Sequence, residues 1–349
     1  MDFKEYKKAY TEHALRLGVS TDAVDLAIKY AERLHNNKLL IIYDQQHFFQ
    51  LVGYNEVYVI AIANKSEYFY KKYSIPKRNG GRRIIHEPLP SLKEIQTWIL
   101  KYILNPGTKL FVSSVAKAYM PKLSVRDNAR FHKGQKYVLC LDLKDFFGSI
   151  SFRQIFSVFC NMGYSKALAT LLSNICLLNN SLPQGAPTSP MLSNMVFKYY
   201  DDKIFEYCKE RKIRYTRYAD DLTFSGDFNC KEVISFIRGL LSKTHFTIND
   251  SKTKIISRGN RQEVTGVVVN EKLQTTAIYR KKIRQEVYYI IKFGVEKHLE
   301  TIEWKRPILE YLHHLLGRIN FTLTINKNDS EMLRYYEYIH SVLKEYKGE

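Results

Sequence analysis

The stretch that decides the fold is Arg217-Tyr218-Ala219-Asp220-Asp221-Leu222-Thr223-Phe224, in which two adjacent carboxylates lie between two β-prone runs. The pattern predicts one strand over residues 215–218 and another over 222–225, so a tight connection would carry Asp220 and Asp221 to the tip of a hairpin. Two like charges at such a tip repel each other, and a divalent cation such as Mg²⁺, which prefers carboxylate oxygens, would remove the repulsion. The alternative is a solvated turn, because Asp is a common turn residue.

The net charge of the chain indicates a polyanionic partner. The 349 residues include 54 Lys+Arg and 35 Asp+Glu, a formal charge of +19, and an excess of this size is typical of nucleic-acid-binding proteins. The excess is concentrated in residues 61–140, which hold 16 basic residues against 4 acidic ones. Aromatic residues that can stack on bases are interleaved with them, so this segment favours a nucleic-acid groove over a uniformly basic surface.

Composition argues against several other classes of protein. The hydrophobic fraction of 45% indicates a globular chain with room for two or three subdomains. The five cysteines are widely spaced and none forms a CxxC pair, so neither a disulfide framework nor a zinc site is indicated, and reduced thiols in a cytoplasm are expected. No apolar run reaches the ~18 residues that span a bilayer, and the first residues lack a signal-peptide pattern, so no membrane partner is expected.

A basic β-hairpin is predicted over residues 75–90, where Asn79-Gly80-Gly81 is a turn signal. Basic residues stand on both sides of this turn, and Arg82 and Arg83 follow it. Guanidinium groups can grip phosphate oxygens in bidentate fashion, so the hairpin suits a triphosphate. The alternative is an exposed charged hairpin without a ligand.

A further carboxylate ends a buried strand. The apolar run over residues 137–141 finishes at Asp142, and an unpaired charge beside such a strand is costly. We therefore expect Asp142 to share a site with Asp220 and Asp221. The alternative is an ordinary aspartate at a strand end.

Periodicity and turn residues predict the remaining elements. We expect helices over residues 1–36, 91–104, 151–177, 191–209 and 230–245, short helices over 37–74, a loop-rich passage over 110–136, a rigid Pro/Gly turn over 182–190, a strand-turn-strand over 246–257, a strand over 264–269 and three helices after residue 277.

Four ordered motifs resemble those of the reverse transcriptases: Asp142 with Phe146-Phe147, Leu-Pro-Gln-Gly-Ala-Pro-Thr-Ser-Pro over 182–190, Tyr218-Ala219-Asp220-Asp221, and Ile248-Asn249-Asp250-Ser251-Lys252-Thr253. The resemblance implies an α+β fold, the right-hand polymerase with fingers, a palm built on an antiparallel sheet and a helical thumb. The implied regions are an N-terminal helical region over 1–60, fingers and palm over 61–275, and a thumb over 276–349 that binds RNA.

Two further motifs resemble elements of the retron reverse transcriptases of bacteria, namely Asn128-Ala129-Arg130-Phe131-His132 and Val264-Thr265-Gly266. Either could instead be a plain loop or the start of a strand. Membership of this group implies an RNA-directed DNA polymerase that copies part of its own structured non-coding RNA into single-stranded DNA (msDNA). It also implies priming from a guanosine 2′-hydroxyl, which gives a branched RNA–DNA, and anti-phage defence together with an effector protein.

The resemblance also implies roles for individual residues. It implies that Asp142, Asp220 and Asp221 hold two Mg²⁺ ions, with Asp221 either a direct ligand or a charge that shapes the field, and that Lys252 protonates the leaving pyrophosphate. For the deoxynucleotide it implies contacts from Arg82, Arg83, Phe147 and Gln184, with Phe147 crowding the sugar 2′ position. For the RNA it implies contacts from Asn128, His132, Val264, Thr265, Gly266 and Arg318.

Two alternatives to a retron enzyme stay open at this point. One is another bacterial reverse transcriptase, such as a diversity-generating or abortive-infection enzyme, for which the motifs at Asn128 and Val264 would be coincidental. The other is a non-catalytic RNA-binding scaffold with a degenerate polymerase fold, against which all three aspartates and the basic hairpin argue.

Overall fold

The computed structural model describes residues 2–77 and 80–348, so Asn79 of the predicted turn signal lies outside the described residues. The described helices are α1 (Phe3–Arg16), α2 (Thr21–Asn36), α3 (Gln45–Val52), α4 (Glu56–Asn64), α5 (Pro90–Ile99), α6 (Asn105–Phe111), α7 (Val125–Ala129), α8 (Phe152–Met162), α9 (Lys166–Cys176), α10 (Ser189–Glu210), α11 (Cys230–Leu241), α12 (Ala277–Phe293), α13 (Val295–Thr301), α14 (Ile308–Ile325) and α15 (Ser330–Lys347). The described strands are β1 (Tyr70–Pro76), β2 (Arg82–Pro88), β3 (Tyr137–Asp142), β4 (Arg214–Tyr218), β5 (Asp221–Gly226), β6 (Lys254–Ser257), β7 (Glu263–Val264), β8 (Val267–Val268) and β9 (Gln274–Thr275).

The chain forms two compact units, and each is assembled from separate stretches of sequence. The first unit consists of residues 1–120, 143–207 and 234–249, and the second consists of 121–142, 208–233 and 250–349. The three consecutive regions expected from the sequence, divided near residues 60 and 275, stay a prediction.

Helices dominate the first unit, and their buried faces follow the predicted periodicity. Several helix boundaries differ from the prediction, and two of the differences change how the helices are connected. The helix expected to end at residue 104 continues through a π-helical turn, Leu100–Leu104, into α6. The helix expected over 151–177 divides at Gly163, whose φ of 113° is a conformation that ends a helix and that glycine adopts without a Cβ clash.

The basic hairpin is present in the first unit and is attached to the Pro/Gly turn. Strands β1 and β2 pair antiparallel from Tyr70↔Pro88 to Pro76↔Arg82. The backbone N–H of His86 on β2 donates to the carbonyl oxygen of Gln184 at 2.8 Å. Gly185 follows with a φ of 129°, and a Cβ at this position would lie 2.6 Å from the His86 carbonyl oxygen. The close approach of the two backbones therefore requires glycine at 185.

The second unit is built on a four-stranded antiparallel sheet in the order β4-β5-β3-β6. Side chains alternate between the faces of a sheet, so the register assigns Leu141, Leu222 and Phe224 to one buried apolar face. The other face carries Asp142 opposite Asp221, and we call it the carboxylate face. One row below that pair lie Thr216, Thr223 and Cys140, followed by Ser225 in the next row.

Two segments that contain the retron-like motifs cover the carboxylate face. The first is α7 with a 3₁₀ turn, Arg130–His132, and the second is the hairpin formed by β7 and β8. The single strand expected over 264–269 is wrong: Thr265 and Gly266 have φ values of 46° and 83°. Two consecutive positive φ values make the tight hairpin turn whose twist matches paired strands.

A buried polar network connects these covering segments to the sheet. The two ring nitrogens of His132 lie 2.7 Å from Ser225 Oγ and 2.7 Å from Thr216 Oγ1. Thr216 Oγ1 also donates to Asn128 Oδ1 at 2.6 Å, and Asn128 Nδ2 donates to Thr265 Oγ1 at 3.3 Å. Burial, together with a smaller contribution from the positive charge of Arg214, lowers the pKa of His132 to about 3.

The C-terminal part of the second unit is helical, as expected, but it holds four described helices rather than three, because α13 is added to α12, α14 and α15. Their buried core includes Ile283, Leu312, Leu315 and Ile339.

The strand-turn-strand expected over 246–257 is present only in part: a 3₁₀ turn, Asp250–Lys252, precedes β6, and Ile248 forms a single bridge to Leu143.

We predict that Gly185→Ala destabilises the protein, by about 1–3 kcal/mol, because the added Cβ clashes with the His86 carbonyl and the φ of 129° is strained for alanine. The matched control is Gly239→Ala in α11, where a Cβ would meet nothing within 4 Å. The control should raise the free energy of unfolding by about 0.5–1 kcal/mol, because alanine favours helix. Urea unfolding followed by circular dichroism measures both, and equal effects of the two substitutions would contradict the prediction.

We also predict that His132 makes the fold less stable in acid. Its folded-state pKa lies below the ordinary value of 6.5, so as the pH falls through 6.5 the unfolded chain takes up a proton that the folded chain does not. The contribution of His132 to stability is therefore fully present well above pH 6.5 and declines as the pH falls, by about 1.4 kcal/mol between pH 7.5 and 5.5. His132→Gln should flatten this part of the pH dependence, measured by urea unfolding, whereas His13→Gln in α1 should leave it unchanged. The same slope in all three proteins would rule out the assignment.

Candidate active site

The three aspartates meet at one end of the sheet in the second unit. Asp142, the last residue of β3, stands directly opposite Asp221, the first residue of β5. Asp220 lies in the two-residue turn between β4 and β5, where Tyr218 pairs with Asp221. The prediction that both residues of the pair lie at the hairpin tip is therefore half right: Asp220 is in the turn, and Asp221 belongs to the strand.

The turn that presents Asp220 is strained and is held from inside. Ala219 has a φ of 59°, a conformation that costs a non-glycine residue of the order of 1 kcal/mol or more. The Arg217 guanidinium, which is wholly buried, donates to the Ala219 carbonyl oxygen at 3.0 Å. The sequence alone assigns no function to Arg217, because an arginine is expected at the surface and nothing in the sequence shows that this one is buried.

The electrostatics of the cluster favour a bound cation. Burial, followed by the negative charges of Asp220 and Asp142, raises the pKa of the Asp221 carboxyl to about 7. Lys252 and Lys254 act in the opposite direction. A carboxyl group in this position gains its negative charge more easily when positive charge is added beside it.

One positive charge is already in contact with the cluster. Lys252, at the end of the 3₁₀ turn, donates from Nζ to Asp142 Oδ1 at 2.7 Å, and this hydrogen bond raises the pKa of the lysine. The Asp142 side chain is only 9% exposed, whereas the lysine side chain is 58% exposed. Lys252 can therefore swing away from Asp142 into solvent at low cost, whereas Asp142 is fixed by the strand.

The donor set fits a hard divalent cation. It consists of carboxylate oxygens that repel each other and already attract an ammonium group, and Mg²⁺ prefers such oxygens. Within residues 2–77 and 80–348, no group of three or more His, Cys, Asp or Glu side chains is arranged around a common point as the side chains now stand. The assignment of a metal site to Asp142, Asp220 and Asp221 therefore rests on the chemistry of these oxygen donors.

The residues predicted to bind the nucleotide all belong to the first unit. Arg82 is exposed on β2, and its guanidinium donates to the Oγ and carbonyl oxygen of Ser74 on the neighbouring strand. Arg83 is also exposed, and adjacent residues of a strand point to opposite faces. Gln184 is half-buried in the Pro/Gly turn, and the half-buried ring of Phe147 lies beside Tyr119, with 6.4 Å between centroids.

The residues predicted to contact RNA divide into buried and surface groups. Asn128, His132 and Val264 are each 0% exposed, which argues against direct contact with RNA. Thr265 is half-buried and Gly266 is exposed at the tip of the β7–β8 hairpin. Arg318 donates to both carboxylate oxygens of Glu286 at 2.7 and 2.8 Å within the C-terminal helices, so an RNA phosphate would have to compete with this ion pair.

The described helices include none that is both long and apolar enough to cross a membrane.

Comparison with known proteins identifies the family. Residues 75–301 match the family described as reverse transcriptase (RNA-dependent DNA polymerase). The Retron Ec86 reverse transcriptase of Escherichia coli is 31% identical over 80% of this chain and 83% of that protein. The Retron Ec83 reverse transcriptase of Escherichia coli is 33% identical over 79% of this chain and 90% of that protein.

A solved telomerase from Candida albicans, in complex with a fragment of telomeric RNA, is similar at a TM-score of 0.46. The identity is 10%, over 84% of this chain and 68% of that chain, a likeness too distant to support a conclusion.

The family match, the ordered motifs and the antiparallel sheet that carries Asp142 and Asp221 agree with one another. The expected α+β fold of a right-hand polymerase is confirmed, and so is RNA-directed DNA polymerase activity. The chain therefore belongs to the reverse transcriptase family and, within it, to the retron reverse transcriptases.

Proposed function

We propose that this enzyme copies part of its own structured non-coding RNA into single-stranded DNA and that Asp142, Asp220 and Asp221 are its catalytic carboxylates. The observation that carries the proposal is the register of the sheet, which sets Asp142 opposite Asp221 and next to the turn that holds Asp220. The basic charge of residues 61–140 supports binding of a polyanion.

Reverse transcriptases generally use divalent metal ions, and we propose two Mg²⁺ ions held by the three aspartates. When bound by these carboxylates, such ions would lower the pKa of a primer hydroxyl and offset the negative charge of a triphosphate and of pyrophosphate. The strands fix the positions of Asp142 and Asp221, and the braced turn fixes the position of Asp220. Fixed carboxylates act by preorganisation, because they need no rearrangement when charge develops in the reaction.

Lys252 has two positions in this proposal. In the structure its ammonium group neutralises Asp142. When a nucleotide is bound, the exposed side chain moves to the triphosphate and donates a proton to the pyrophosphate oxygen as the bond to the α-phosphorus breaks. The hydrogen bond to Asp142 raises the pKa of Lys252, so the side chain is charged before it moves and brings a proton to the triphosphate.

Membership of the reverse transcriptase family also supports nucleotide contacts by four residues of the first unit. Arg82 and Arg83 would contact the triphosphate from the basic hairpin, Gln184 would pack at the nascent base pair, and Phe147 would exclude a 2′-hydroxyl. The hydrogen bond between His86 and Gln184 supports this assignment, because it joins the hairpin to the Pro/Gly turn in one rigid part.

Membership of the retron group supports the finer proposals about product and biology. We propose priming from a guanosine 2′-hydroxyl of the cognate RNA, so that the msDNA product remains attached through a 2′,5′ bond. Contacts of Thr265, Gly266 and Arg318 with that RNA remain part of the proposal. So does a role in anti-phage defence with an effector protein from the same locus.

The catalytic assignment predicts that Asp220→Asn and Asp221→Asn each lower Mg²⁺-dependent DNA synthesis by a factor of about 10³ or more, because each removes a negative charge that would hold metal. Primer extension on an RNA template measures the loss, and gel-shift titration should show RNA affinity unchanged within about twofold. The control is Asp227→Asn, since Asp227 is an exposed carboxylate of the same unit that pairs with Lys136, and it should stay active. Retained synthesis by either catalytic variant would refute the assignment.

The retron assignment predicts a branched nucleic acid. The protein purified from cells carrying its native locus should retain a small RNA joined to DNA, and treatment with a debranching enzyme should release the DNA as a separate linear strand. The control is the same purification with Asp220→Asn, which should yield the RNA without DNA. Linear DNA before debranching, or no DNA, would overturn the proposal.

A further inference from the structure

The two retron-like motifs, which are far apart in the sequence, meet in one hydrogen-bonded chain. The chain runs from Thr265 to Asn128, then to Thr216, His132 and Ser225, with donor–acceptor distances of 3.3, 2.6, 2.7 and 2.7 Å. Its members come from the β7–β8 turn, α7, the 3₁₀ turn and strands β4 and β5. The outer end, at Thr265, is half-buried, whereas Asn128 and His132 are wholly buried.

With the Asn128 amide oriented as it is in the structure, the direction of every hydrogen bond in this network is fixed. The single hydroxyl hydrogen of Thr216 goes to Asn128 Oδ1, because an amide oxygen can only accept. Thr216 Oγ1 must then accept from His132, so Nε2 carries the proton and Nδ1 accepts from the Ser225 hydroxyl. This arrangement uses the neutral ring, in agreement with the strongly lowered pKa of His132. A chain with no free choice of donor holds its members in one geometry.

This hydrogen-bonded network contacts both strands of the hairpin that carries Asp220 and Asp221, close to those carboxylates. Thr216 on β4 lies opposite Thr223, which is the next residue after Asp221 on the carboxylate face. Ser225 on β5 is the following residue on that face. The imidazole of His132 therefore connects β4 to β5 through side chains, one and two rows from Asp221. The strained turn at Ala219 joins the same two strands.

We propose that Asn128, His132 and Thr265 are positioning residues that hold the Asp220–Asp221 hairpin in its productive geometry through Thr216 and Ser225. The proposal rests on the catalytic role proposed above for the aspartates. It assigns Asn128 and His132 an internal task instead of direct RNA contact, in agreement with their burial. It gives Thr265 a positioning role in addition to the RNA contact proposed above. Displacements of about 1 Å at a reacting centre can cost about 100-fold in rate, so small losses of alignment should be measurable.

The test compares Thr216→Val with Thr216→Ser. Valine has nearly the shape of threonine but leaves Asn128 Oδ1 and His132 Nε2 without a partner, whereas serine keeps the hydroxyl. Single-turnover nucleotide incorporation on an RNA template should become about 30- to 100-fold slower at saturating dNTP in the valine variant. Serine should restore the rate to within about threefold of the parent. Affinity for the RNA–DNA template-primer should stay within about twofold in both variants.

The control for a general loss of stability is Ser173→Ala. Ser173 is also a wholly buried hydroxyl, but it donates to the backbone of its own helix at Ala169. The proposal is overturned if Thr216→Val slows incorporation no more than Ser173→Ala does. It is also overturned if the valine variant loses template-primer affinity while its rate is intact, since that result would mean RNA contact.

If Thr216→Val does not fold, the outer end of the chain provides a second comparison. Thr265→Ala should slow incorporation about threefold to tenfold, the worth of one hydrogen bond, and Thr265→Ser should not. Equal rates for alanine and serine at 265 would overturn the proposal. Failure of the catalytic assignment is distinct: Asp220→Asn would then synthesise DNA, whereas failure of positioning alone leaves Asp220→Asn inactive and the Thr216 and Thr265 variants fully active.

Discussion

Three carboxylates that repel each other lie at one end of a four-stranded sheet. The features of the second unit described below all hold these carboxylates in place. Asp142 and Asp221 face each other across paired strands, and Asp220 follows in the adjoining turn. Burial raises the pKa of Asp221 to about 7, and both neighbouring aspartates contribute to the rise. Positive charge beside the carboxylates is needed to offset this repulsion. The Lys252 ammonium on Asp142 does so in the structure, and cations and substrate would do so in the working enzyme.

The protein fixes this unfavourable cluster with two different devices. On the apolar face of the sheet, the buried guanidinium of Arg217 holds the carbonyl of Ala219 in a strained turn. On the carboxylate face, the chain through Asn128 and His132 ties together the strands that the turn connects. Both devices are buried, so water does not weaken their hydrogen bonds. Rigid support of this kind lets charged side chains stay close together without rearranging during the reaction.

The first unit carries basic residues, whereas the second unit carries the cluster of carboxylates. Its antiparallel hairpin presents Arg82 and Arg83, and the backbone bond from His86 to Gln184 attaches the hairpin to the Pro/Gly turn. That attachment depends on glycine at 185, because a side chain there would meet the His86 carbonyl. Arg82, Arg83 and Gln184 thus lie on two elements that a backbone hydrogen bond connects.

The sequence by itself was enough to identify the family, to predict the antiparallel sheet and to predict that Asp142, Asp220 and Asp221 lie together. It was enough because a carboxylate at the end of an apolar strand is a local pattern. It placed the hairpin strands correctly and missed that Asp221 lies in a strand, since one residue of register decides that. Only the tertiary structure showed that Asn128 and His132 are buried partners of Thr216, that Val264-Thr265-Gly266 is a turn, and that Arg217 braces Ala219. In a sequence, a polar residue is expected at the surface. Only the packing of the folded chain shows which polar residues are buried and hydrogen-bonded to other residues instead of to water.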